Sequence, residues 1–156
     1  MPKRRQANAP APKFRVEVER RVDIKVRDQS TPRDVRIAYA DAYEEFQSRG
    51  CEAGSYRLSG PGDWPRFCVR RLPRNYRLVV IFPEADLVRF ILLEPHSDGS
   101  DPYAWLEEVF GLAGRANREE LPERKPSCCS DRSDPPGGAA LAALLDELAR
   151  QRRTRR

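Results

Sequence analysis

One histidine, His96, and one methionine are all that the chain holds of those residues, and its only lysines are Lys3, Lys13, Lys25 and Lys125. The cysteines, Cys51, Cys68, Cys128 and Cys129, match no zinc-ligand spacing, and a lone histidine does not complete one. No metal and no small-molecule cofactor is therefore expected. Cys128 and Cys129 are adjacent and poorly placed to pair with each other, so free thiols in a reducing compartment are the expectation. No apolar run approaches the roughly 18–20 residues that cross a bilayer. The opening "MPKRRQANAPAPK" is charged and proline-broken, without the apolar segment of a secretory signal. A cytoplasmic protein with no membrane partner is expected.

Acid is also missing where it matters. Residues 1–13 and 150–156 contain none, yet together they hold 9 of the 29 basic residues. The other 20 face all 24 acids, so the body of the chain carries about −4. Within that acidic body lies "RFCVRRLPRNYRLVVIF", residues 66–82, with Arg66, Arg70, Arg71, Arg74 and Arg77, and no acid between Asp63 and Glu84. What remains is 39% hydrophobic and 34% charged over 156 residues, which bounds one domain with a modest core and appendages.

Hydrophobic periodicity divides the chain. Residues 1–13 read as a disordered basic arm. In "FRVEVERRVDIKV" the residues Phe14, Val16, Val18, Val22, Ile24 and Val26 share one parity, which predicts a long half-buried strand, or two strands joined at a bulge. "STPRD" predicts a helix over 32–49, with Thr31 as N-cap, Pro32 at the first position and Gly50 as the stop. "SYRLSGPGDWP" predicts a short strand and a turn. Residues 66–71, 76–83 and 87–96 predict three strands with short connections, an antiparallel meander. "SDGSDPYAWLEEVFGL" predicts a helix capped by Asp101. Residues 113–137 lack core periodicity and read as a linker. Residues 138–156 predict an amphipathic helix with Leu141, Leu144, Leu145 and Leu148 on one stripe, followed by a basic tail. The expected fold class is α+β, a small twisted antiparallel sheet of four or five strands packed on helices, within residues 14–112.

The arginine island raises a question of pairing. A four-residue loop in the 66–83 hairpin sets Arg70 opposite Arg77, and a three-residue loop sets Arg71 there instead. Either arrangement places like charges directly across a sheet, which an anionic ligand or an acidic partner segment would relieve. Arg66, Arg71 and Arg74 extend the same patch, and Trp64 and Phe67 are candidates to stack on bases.

Three short elements, in this order, carry a resemblance: Arg57-Leu58-Ser59-Gly60, then Tyr76-Arg77-Leu78-Val79, then Pro95-His96 with Tyr103. The chain resembles the RelE/ParE superfamily of bacterial toxin–antitoxin toxins over residues 14–112. The resemblance implies a toxin-like component acting as a metal-independent mRNA endoribonuclease on the ribosome, with a cognate antitoxin protein as partner. In that reading Arg70 and Arg77 stabilise phosphate charge, while His96 and Tyr103 transfer protons. The chain departs from the family pattern in having Cys68 and Arg70 where two basic residues are usual, and Ser97 where an arginine is usual. Its first strand also reads as too long, and the family's two-helix hairpin as a single helix. The alternative is a non-nuclease binding protein of the same fold, a gyrase-inhibitor-like or diverged interaction module.

Overall fold

The computed structural model describes residues 13–59, 67–96 and 123–125, together with Ala143, Asp146, Glu147 and Arg150. A short strand β1, Arg15–Val18, leads directly into helix α1, Arg20–Arg27, and then into helix α2, Arg33–Arg49. The strands β2 (Tyr56–Ser59), β3 (Phe67–Arg71), β4 (Tyr76–Glu84) and β5 (Leu87–Pro95) follow, and β6, Glu123–Lys125, completes the set. They form one six-stranded sheet in the order β1-β5-β4-β3-β2-β6. The expected meander is present from β2 to β5, each pair antiparallel. β1 adds parallel to β5, so the sheet is mixed rather than wholly antiparallel. The coarse class, α+β, stands.

The long first strand is corrected to a strand and a helix. Val18, Val22 and Val26 lie four apart, a spacing that a period of 2 and a period near 3.6 both satisfy. Ile24 separates the two readings. A continuous strand would bury it with its neighbours, but it is 56% exposed while Val22 is fully buried. Asp23 and Arg27 then form an i,i+4 ion pair at 3.1 Å along the helix. The expected cap is also corrected. Thr31 is buried and its hydroxyl donates to the Lys25 carbonyl at 2.6 Å, so it ties the two helices together instead of capping α2. Gly50 ends α2 as expected, at φ 58, and its N–H donates to the Phe46 carbonyl. A Cβ there would meet the Phe14 ring at 2.5 Å, so the close approach and the backbone angle both demand glycine.

α2 packs across the sheet through Val35, Ala42 and Phe46. Tyr39, Tyr43 and Phe46 stand edge-on to Phe90 of β5, with ring centroids 5.7, 5.9 and 5.4 Å away. Each such contact contributes about 0.5–1.5 kcal/mol beyond area burial. On β4 the helix side takes Tyr76, Leu78, Val80 and Phe82. Val69, Val79, Ile81 and Leu92 point the other way and are also no more than 2% exposed. Burial on both faces explains why β4 and β5 carry near-continuous apolar runs.

Two irregularities interrupt the β4–β5 ladder. Leu92 pairs with Val79 but Phe90 pairs with Val80, so Ile91 is an extra residue in β5. Between Ile81 and Glu84 the extra residue falls in β4, beside Pro83, which has no N–H to offer a ladder.

The stretch read as a linker contributes β6, which pairs with β2. The helix expected after Asp101, and residues 1–12 of the arm expected at 1–13, lie outside the described residues; Lys13 is described, and its N–H donates to the Gln47 carbonyl. The four described positions of the C-terminal segment are helical and exposed. The expectation of free thiols fails at one position. Cys51 is disulfide-bonded, while Cys68 lies outside any disulfide and is fully buried.

Candidate functional site

The β3–β4 hairpin carries the arginines, and its turn decides which way they point. Arg74 and Asn75 both have positive φ, 55 and 60. The Tyr76 N–H donates to the Pro73 carbonyl, and the Leu72 N–H donates to the Tyr76 carbonyl. This sets Arg70 opposite Leu78 and Arg71 opposite Arg77, the second of the two pairings the loop length allowed. Strand alternation then places Arg70 on the helix side with Leu78, and Arg71 with Arg77 on the other side.

Arg70 and Arg77 therefore do not converge on one concave spot, and Arg70 is not available to a phosphate. Its guanidinium grips Glu45 of α2 in a fork, Nη1 to Oε2 at 2.7 Å and Nη2 to Oε1 at 3.2 Å. Nη1 also donates to the Ala53 carbonyl at 2.7 Å. With the Arg70 side chain only 23% exposed, this is a structural ion pair that fastens α2 and the following turn to β3. The Arg70 hydrogen bond holds the Glu45 carboxyl below its ordinary range against the opposing pull of burial, and the charges of Arg70 and Arg49 add to it. Arg74 has a similar task at the hairpin tip, where its Nε donates to both Asp34 oxygens at 3.0 and 3.1 Å.

Arg71 and Arg77 differ. The Arg71 guanidinium lies 4.9 Å from the centroid of the Tyr56 ring, a cation–π contact. The Nη1 of Arg77 donates to the Tyr76 carbonyl at 3.0 Å, and its buried Nε has no acceptor. Glu94 stands directly opposite Arg77 in register but pairs with Lys25 of α1 at 3.3 Å. Neither Arg71 nor Arg77 makes an ion pair among the described residues.

His96 joins the same end of the sheet. Its N–H donates to the Asn75 carbonyl at 2.8 Å, and the Asn75 side-chain amide donates to the His96 carbonyl. It lies just past the end of β5, two residues beyond Glu94, the residue opposite Arg77. Trp64, Arg66 and Tyr103 lie outside the described residues. No cluster of His, Cys, Asp and Glu suited to a metal ion occurs among the described residues. No helix there is long and apolar enough to cross a membrane.

A second polar centre escaped the reading of the sequence. Arg89, 16% exposed, meets Glu17 at 3.0 Å, Asp146 at 3.4 Å and Glu19 at 3.9 Å. A cavity of about 360 Å³ opens beside it, bounded by Glu17, Val18, Glu19, Arg20 and Asp146. Its signal in the sequence was a lone charge inside "LVRFILL". With its acids so close, Arg89 is a structural tie between β5, β1 and the C-terminal segment.

No family model matches the chain, and no curated protein or solved structure matches it.

Proposed function

We propose that the chain is a toxin-like component of a bacterial toxin–antitoxin system that works by binding, with no RNA-cleaving activity. Its anion-recognising element is the Arg71–Arg77 pair, and its partner is an acidic protein segment, that of a cognate antitoxin. One observation carries this reading: two arginines stand directly opposite each other, neither has a carboxylate, and one has a buried N–H without an acceptor. Such a pair is unfavourable alone and is relieved by an anion. The element order supports the toxin-like part. The sequence reads as lacking the two-helix hairpin and as having too long a first strand, and α1 accounts for both departures. The nuclease reading loses its clearest phosphate-binding pair, because Arg70 is held by Glu45 on the opposite face.

A second reading, the metal-independent mRNA endoribonuclease, keeps one specific observation in its favour. Arg77 and His96 share one end of the sheet, where a cation and a proton carrier could act on one phosphodiester.

Induced bacterial expression of the wild type beside Arg77→Ala separates the two. The binding reading expects transcripts to stay intact in both cultures. It also expects Arg71→Glu or Arg77→Glu to weaken capture of the acidic product of a neighbouring gene by about tenfold or more, and Arg36→Glu, at an exposed position of α2, to leave capture unchanged. Transcripts cleaved by the wild type and spared by a folded Arg77→Ala protein would establish the nuclease instead.

A further inference from the structure

We infer that the outer face of α2 is a self-association surface, on which a second copy of this chain docks its own α2 antiparallel. The surface is the ridge turned away from the sheet, made of Arg33, Arg36, Ile37, Ala40, Asp41 and Glu44, all of them exposed. Ile37 is 53% exposed, an unusual position for a large apolar side chain in this fold, where only Ile24 is comparably open among the described residues. None of the four charged side chains makes an ion pair among the described residues. The inference stands independently of the toxin-like reading.

The order of those charges is unfavourable for one helix alone. Arg33 and Arg36 lie three apart, and so do Asp41 and Glu44, so like charges neighbour each other along the ridge. No opposite charge stands three or four residues from any of the four. The arginines also occupy the first turn, where the positive end of the helix dipole repels cations. Elsewhere on α2 the charges are matched, Asp34 with Arg74 and Glu45 with Arg70 and Arg49.

A second copy turns the same order into complementarity, because the ridge is a charge palindrome. With a two-fold axis level with the Ala38–Tyr39 peptide, Arg33 meets the partner's Glu44, Arg36 the partner's Asp41, and Ile37 the partner's Ala40. Symmetry makes each contact twice, so every unmatched charge gains an opposite one and both isoleucines are covered. Ala40 is small enough at the crossing to let the helix axes approach to about 8–10 Å. A parallel docking would instead set arginine on arginine and acid on acid, which selects the antiparallel one. At 1.5 Å per residue the ridge is only about 17 Å long, so the association is weak and sensitive to salt.

Sedimentation velocity on the full chain tests this. At about 100 μM protein in low salt the wild type is expected to sediment as a dimer, and to bind itself about fivefold or more weakly when salt is raised about tenfold. Arg36→Glu and Asp41→Arg are each expected to raise the dissociation constant by about tenfold or more. Mixing the two variants puts opposite charges back in both halves of the interface, so the mixture is expected to associate as the wild type does. The double variant Arg36→Glu/Asp41→Arg is expected to recover in the same way. Arg36→Glu relieves the arginine pair and suits the start of a helix, so its melting temperature is expected not to fall and a lost dimer is not a lost fold. Arg71 and Arg77 lie beyond the sheet from α2, so the same variant is expected to keep its capture of an acidic partner. A wild type that stays monomeric at this concentration would overturn the inference and leave the ridge to a different protein. A dimer untouched by Arg36→Glu, or a mixture of the two single variants that remains monomeric, would overturn it equally.

Discussion

Arg70 and Arg71 are neighbours in sequence and belong to different environments. Arg70 faces α2, where Glu45 accepts a two-pronged hydrogen bond and a backbone carbonyl takes what remains. Arg71 faces away, with an aromatic ring beneath it and another arginine across from it. The helix side of the hairpin has matched its cations with acids, at Arg70 with Glu45 and at Arg74 with Asp34. The far side has left Arg71 and Arg77 unmatched. Charges already satisfied within the fold serve stability, and those left over are the ones a partner can use.

That contrast can be broken at several strengths. Phe90→Ala removes the ring on which three α2 aromatics converge and should cost about 3–5 kcal/mol in urea unfolding. If it costs less than about 1 kcal/mol, α2 is not anchored where described. Arg70→Ala leaves the Glu45 carboxylate and the Ala53 carbonyl without their donor and should cost about 2–3 kcal/mol by the same measurement. Arg77→Met takes the opposite sign. It removes a like charge and a buried N–H without an acceptor, and should raise stability by about 1 kcal/mol while abolishing partner capture. A destabilised Arg77→Met would mean that the arginine serves the fold after all.

Titration gives the smallest effects. The Glu45 carboxyl is held low in the folded chain, so its stabilisation is full above its unfolded pKa and fades as pH falls through the folded value. Arg70→Ala should remove that part of the acid-side slope. Tyr39 is pushed up to about 12, chiefly by burial, so its neutral form is favoured in the fold. Stability from that source is complete below pH about 10 and declines as pH rises toward 12, and Tyr39→Phe should flatten the alkaline limb of a thermal-melting profile.

Much of this fold was legible in the residues themselves. α2 announced itself by Pro32 before its first turn and Gly50 after its last, and β4 and β5 by apolar runs separated by a turn. α1 was illegible because valines spaced by four satisfy two periods at once, and only the exposure of Ile24 tells them apart. The parallel pairing of β1 and the arrival of β6 depend on contacts distant in sequence that no local pattern records. At the site, the arginines were visible as an acid-free stretch, but their facing was not. One residue of loop length decides whether Arg70 or Arg71 meets Arg77, and the turn conformation at Arg74 and Asn75 sets that length. Glu45 and Arg70 lie 25 residues apart, and nothing in either neighbourhood announces the other.

The two irregularities in the β4–β5 ribbon have an evolutionary consequence. Each strand carries one surplus residue, Ile91 in one and the Phe82–Pro83 step in the other, so the offset opened by the first is closed by the second. Shortening either strand alone would leave its partner's surplus uncancelled and drag the connecting turn at Ala85–Asp86 out of alignment. Insertions and deletions in this ribbon should therefore be inherited in compensating couples, and a library of single-codon deletions should be depleted across the ribbon where a matched double deletion survives.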